Sequence, residues 1–260
     1  MFLVRDTQVR AFEQIALTEF EDEMVRHCRE SSPHRCRLLS EAALRRAIQG
    51  ALEGASRHGF THRGPARLYV DLTFLLGSGF DSDPQVPWAA EALGEAGLGQ
   101  SYRAEALHRE VCAYLEEIGG EEPARTRRSL ERLAALAGGE GLARAGSLAE
   151  DALLRMAEMH PEKVARVGEA PLRQLVDRAG ERVEAAWGAR EPRTVALVSG
   201  LMFVFGHRCD EDPVHPWIEA MLGAREERGD AEPGRVAGEL WRVAALWGDD
   251  GAGDTREEQR

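Results

Sequence analysis

Five residues within nine positions hold the densest chemistry in this sequence: His207, Cys209, Asp210, Asp212 and His215, in "GHRCDEDPVHPW". Imidazole, thiol and carboxylate are the groups that ligate zinc, and paired aspartates are a common start for general acid–base work. An earlier stretch, "GSGFDSDPQVPW", carries the same frame with Asp81 and Asp83 but has no histidine or cysteine. A Mg²⁺ or Ca²⁺ site needs more oxygen ligands than two carboxylates supply, and acid–base chemistry needs a further positioned His, Glu or Lys. The spacing across residues 207–215 follows no recognised zinc pattern. A metal-dependent enzyme using that cluster is therefore kept as an alternative, and no catalytic, cofactor-binding or metal-ligating residue is assigned. The loop "RHGFTHRGP" groups two histidines with two arginines, a composition that suits an anion, but reads rather as a solvated helix closure. No GxSxG, Walker A, HExxH, CxxC or GxGxxG context occurs.

The shared frame reads more naturally as a corner than as a site. Gly77 and Gly206 fall where a C′ glycine ends a helix at positive φ. Asp83-Pro84 and Asp212-Pro213 read as N-cap followed by N1, and Asp81 and Asp210 as side-chain caps of the preceding turn. Pro87 and Pro216 allow a tight turn or a fresh helix start, which carries Trp88 and Trp217 onto the core.

The two corners belong to a longer repeat. At an offset of 129, residues 72–94 align without a gap on residues 201–223, with ten of the 23 positions identical. Upstream, at an offset of 128, "EAALR" matches "EAPLR" and Pro33 matches Pro161. The repeat predicts an all-α protein, a tandem duplication of a multi-helix unit with pseudo-two-fold related halves. Repeat unit 1 is placed at 1–100, connecting helices at 101–140, repeat unit 2 at 141–247 and a disordered acidic tail at 248–260. Helical periodicity supports this. Phe12, Ile15, Ala16, Phe20, Met24 and Cys28 form one apolar stripe, a helix is expected over 41–57 closed by Gly59, and "SLAE" is a capping-box pattern. "PARLYVDLTFLL" and "PRTVALVSGLMFVF" are apolar on nearly all sides and are expected to be the buried central helix of each half.

Composition narrows the function classes. The 260-residue chain has a formal net charge of −12, which argues against nucleic acid as its main partner. The longest apolar stretch, 195–205, is too short to cross a bilayer, and no export signal opens the chain, so a cytoplasmic location is expected. Cys28, Cys36, Cys112 and Cys209 are expected to stay reduced. Lys163 is the one lysine among 33 basic residues.

Together "FEDEMVRH", "EAALRRAIQGALEGASRHGFTHRGPARLYVDL" and "GFDSDPQVPWAAE" resemble an uncharacterised family of helical bacterial proteins often encoded near type VI secretion or other toxin-delivery genes. The resemblance covers residues 8–92. It implies an accessory to a secreted toxin: an immunity protein neutralising a cognate toxin, or alternatively an effector chaperone, adaptor or helical scaffold. Acidity then suggests a basic toxin or secreted effector as the protein partner, with Glu19, Glu116, Glu117 and Glu121 as candidate partner-binding residues. A non-enzymatic role is expected.

Overall fold

The computed structural model describes residues 6–94, 97–119, 121–139, 146–226 and 233–247, and among them it is all-helical, with thirteen α-helices and no strand. The first half runs α1 (Asp6–Ser31), α2 (Pro33–Cys36), α3 (Glu41–Arg57), α4 (Arg63–Leu76), a 3-10 turn (Phe80–Ser82), α5 (Pro87–Gly94) and α6 (Gln100–Ile118). The second runs α7 (Glu122–Ala137), α8 (Leu148–Met159), α9 (Pro161–Val167), α10 (Glu169–Trp187), α11 (Pro192–Phe205), α12 (Pro216–Glu226) and α13 (Pro233–Leu246). The tail at 248–260 lies outside the described residues.

Local signals set many of these boundaries. Ser40 accepts the Ala43 amide at the start of α3, and Ser147 accepts the Glu150 amide at the start of α8. Pro33 and Pro161 each occupy the first helical position, where a missing amide costs nothing. Gly59, at φ 73°, lets the chain leave α3.

Two apolar cores result. The first takes Met24, Leu44, Ile48, Tyr69, Phe74 and Trp88, and α6 adds Leu107 and Val111. The second takes Leu172, Val195, Leu201, Phe203 and Trp217, and both α7 and α13 pack into it. The cores interlock: Val214, from the second half, is buried in the first core. Leu38, from the first half, packs against the second.

The apolar stripe of α1 is buried from Phe20 through Met24 to Cys28, but Ile15 is 54% exposed. The two central helices also differ. α11 is buried at every position from 194 to 203, as an all-round apolar sequence requires. α4 is not: Arg67 is exposed and Asp71 is half-buried. The reason is α7. It lies over α11 so closely that a Cβ on Gly200 would stand 2.5 Å from the Leu133 side chain. At the aligned position in α4 stands Asp71, bonded to His27 at 2.5 Å, so that face of the first half is polar.

Candidate functional site

The two corners meet each other. Gly77 ends α4 at φ 98° and ψ 156°, and Gly206 ends α11 at φ 97° and ψ 155°, a region open in practice only to glycine. The two backbones touch here. A Cβ on Gly206 would stand 2.6 Å from the Leu76 carbonyl oxygen, and one on Gly77 would overlap the Phe205 carbonyl oxygen. Beyond each glycine the next amide points across the seam to a carboxylate of the other half. Asp83 accepts from the His207 amide at 2.8 Å, and Asp212 accepts from the Ser78 amide at 2.7 Å.

Each carboxylate uses its other oxygen locally. Asp83 accepts from the Gln85 amide and Asp212 from the Val214 amide, both at 2.8 Å. No helix begins at Pro84 or Pro213: α5 and α12 start at Pro87 and Pro216. The N-cap expected of Asp83 and Asp212 is thus replaced by a turn tie plus a cross-seam bond. The physical reason is that the amides of Ser78 and His207, left open where the central helices stop, need acceptors, which the opposite corner supplies. Both carboxyls are 3–4% exposed, and burial holds their pKa above the usual carboxylate range against the lowering effect of the donated amides.

Asp81 and Asp210 do not cap the preceding turn either. Asp81 accepts from His58 at 2.9 Å and from the Tyr69 hydroxyl at 3.0 Å. Asp210 is held by Arg182 at 2.7 Å. These bonds tie each corner to the helices of its own half. The position after each Asp-Pro reaches the other way: Gln85 donates to the Met202 carbonyl at 3.0 Å, and Val214 enters the first core. Trp88 and Trp217 are both buried, against Tyr114 and Phe205 respectively.

The residues at 207–215 are scattered over different partners. His207 lies 3.4 Å from Asp83, His215 packs at a tilt against Phe205 with ring centroids 4.6 Å apart, and Asp210 faces Arg182. Cys209 is buried, which pushes its thiol well above the ordinary value. Burial holds His215 well below the ordinary imidazole value, with Arg35 adding to the effect. Among the described residues no three His, Cys, Asp or Glu side chains come together in a way that could hold a metal ion.

Beside the seam lies a polar cavity of about 70 Å³, which sequence reasoning missed. Arg35, Asp83, Gln85, Tyr114, His160 and Lys163 line it. Arg35 donates to the Leu75 carbonyl at 3.2 Å, and Lys163 donates to the Phe203 carbonyl, so each cation sits on the last turn of a central helix, where the helix dipole favours it. Arg35 also pairs with Glu122 at 3.0 Å. The signal was available: the offset of 128 that aligns Pro33 with Pro161 also places Arg35 on Lys163.

Of the candidate partner-binding residues, Glu116 and Glu117 stand exposed at the end of α6 and Glu121 is exposed just before α7, while Glu19 is exposed on α1. Glu117 is paired with Arg166 of α9. The acidic run on α1 is also partly engaged, with Asp22 paired to Arg45 and Glu23 to Arg63. No helix among the described residues is long and apolar enough to cross a membrane. Comparison of the chain with known protein families, with curated proteins and with solved structures finds no match in any of the three.

Proposed function

We propose that the chain is a tandem duplication whose halves are related by a pseudo-two-fold axis passing between Gly77 and Gly206, and that it works as a non-enzymatic protein-binding accessory. The duplication reading is supported by the reciprocal bonds of Asp83 and Asp212 and by the paired cations Arg35 and Lys163. The binding reading is carried by one observation. The motif carboxylates are engaged inside the fold, whereas Glu116 and Glu121 remain outward around the α6–α7 turn of a chain with formal charge −12. Such a surface steers a basic partner and speeds association most at low salt.

The resemblance to proteins of toxin-delivery loci gives the partner its class: a basic toxin or secreted effector, with this chain as its cytoplasmic immunity protein. Co-expression with each neighbouring gene tests it, read by pull-down at low and high salt and by cell viability. An immunity protein rescues cells that make the toxin domain. An escort leaves viability unchanged but is needed for the partner's solubility or secretion. If no neighbouring product binds at low salt, the binding reading fails.

A further inference from the structure

The cavity beside the seam has a charge opposite to that of the chain as a whole. Three cations line it, Arg35, Arg125 and Lys163, against two carboxylates, Asp83 and Glu122. Those carboxylates are already occupied. Asp83 accepts from the Gln85 and His207 amides and from the Gln85 side chain at 3.2 Å, and Glu122 holds Arg35 at 3.0 Å and the Thr126 hydroxyl at 3.2 Å. Lys163 is half-buried and held differently. Its ammonium donates to the Phe203 carbonyl and lies 4.6 Å from the centroid of the Phe203 ring, with no carboxylate among the described residues within 4.0 Å. An ammonium drawn partly out of water without an anion at contact distance carries a desolvation cost, so a mobile anion there is favoured.

Two further donors line the space, one of them without a protein partner among the described residues. His160 Nδ1 takes the Lys163 amide at 3.1 Å and lies 3.3 Å from the Glu162 carboxylate; the tautomer that accepts the amide carries its proton on Nε2, an atom buried without a partner among the described residues. The Tyr114 hydroxyl, on a side chain 2% exposed, lines the same space. A cavity of about 70 Å³ is larger than one water needs and has room for a small polyatomic ion. We infer that this cavity binds a small oxyanion, of the phosphate or sulfate class, held by the Lys163 ammonium, the Tyr114 hydroxyl and His160 Nε2–H. The inference goes beyond the partner reading and does not depend on it.

Sulfate is the better probe, because it does not titrate near neutral pH. The groups facing Lys163 are Asp83 from the first corner, Arg125 from α7, Tyr114 from α6 and His160 at the α8–α9 junction. Burial lowers the Lys163 ammonium to about 8. Binding that requires the charged form therefore weakens about tenfold for each pH unit above that value. Calorimetry and thermal shift on the full chain, at ionic strength matched with chloride, should show saturable one-to-one sulfate and phosphate binding. Tyr114→Phe should weaken it about tenfold or more while the protein stays folded. Lys163→Met should abolish both the binding and its pH dependence. If Lys163→Met fails to fold, the Tyr114→Phe variant and the wild-type pH profile still decide. No saturable binding would show a cavity filled by water alone, and chloride stabilising as well as sulfate, or binding that is flat with pH and unchanged in Tyr114→Phe, would show that the oxyanion is not held by these groups.

Discussion

The carboxylate of Asp83 accepts the backbone amide of His207, 124 residues away, at 2.8 Å, and the imidazole of the same residue lies 3.4 Å from the same oxygen. The counterpart bond runs from the Ser78 amide to Asp212, 134 residues away. Each half thus supplies the acceptor for the amide exposed where the other half's central helix stops. Hydrogen bonds to ionised groups contribute roughly 1.5–3 kcal/mol each. The corners are therefore a polar fastening of the seam, with apolar contacts such as Val214 beside them.

Asp83→Ala and Asp212→Ala should each destabilise the protein by about 2–4 kcal/mol, more than loss of an exposed cap, because two amides at each corner lose a charged acceptor. Urea unfolding of the single and double variants measures this. The two sites share one seam, so the double variant should depart from additivity by at least about 0.5 kcal/mol. Additive losses of about 1 kcal/mol each would mean that the cross-seam bonds contribute little.

What could be read in advance follows the range of each signal. The limits of α3 were legible because Ser40 and Gly59 are local side-chain and backbone signals. The helical class and the corner were legible because the frame occurs twice. The partner of Asp83 was not, since a backbone amide carries no residue-type signal and His207 lies far along the chain. For the same reason Asp81 and Asp210 looked like local caps, although their donors are His58, Tyr69 and Arg182. The contrast between Asp71 and Gly200 was visible as letters, but its meaning depends on α7 packing against α11. The cavity was hidden because its lining comes from α2, α4, α6, α7, α9, α11 and the first corner, which only the folded chain brings together.

Gly77→Ala and Gly206→Ala should be among the most damaging single-methyl changes in the chain. Each places a side chain in a backbone region costing about 1–3 kcal/mol, and each drives a Cβ into a carbonyl oxygen of the opposite half. Gly50→Ala is the control. It lies inside α3 with nothing within 4 Å of a new Cβ, and should stabilise by up to about 1 kcal/mol. Denaturant midpoints of the three variants make the comparison. Similar midpoints for Gly77→Ala and Gly50→Ala would mean that the helices part at no cost.

Trp88→Ala and Trp217→Ala should cost about 3–5 kcal/mol each, since both rings are 7% exposed and packed on aromatic neighbours. Thermal unfolding checks this, and a pull-down on the same samples separates stability from binding. Wild-type stability paired with lost partner binding would move the corner tryptophans from packing to recognition.

The protein should lose stability as pH falls from about 6.5 towards 4. Burial lowers His160 to about 4 and holds His215 well below the ordinary value, so the unfolded chain takes up protons on both before the folded one does. A lowered histidine contributes stability that is complete above the unfolded value and is lost as pH drops through this window. Asp83 and Asp212 act in the opposite sense. Their carboxyls are raised by burial, so the folded state takes up protons first just above the ordinary aspartate range, which tempers the loss near its acid end. His160→Asn isolates the first contribution, because asparagine can still accept the Lys163 amide as a helix cap but does not titrate. Its melting temperature should fall less than that of the wild type between pH 7 and pH 5 as followed by circular dichroism, a window set by the His160 value of about 4. Parallel curves for the two proteins would show that His160 charges in the folded state as readily as in the unfolded one, and the acid sensitivity would then belong to His215.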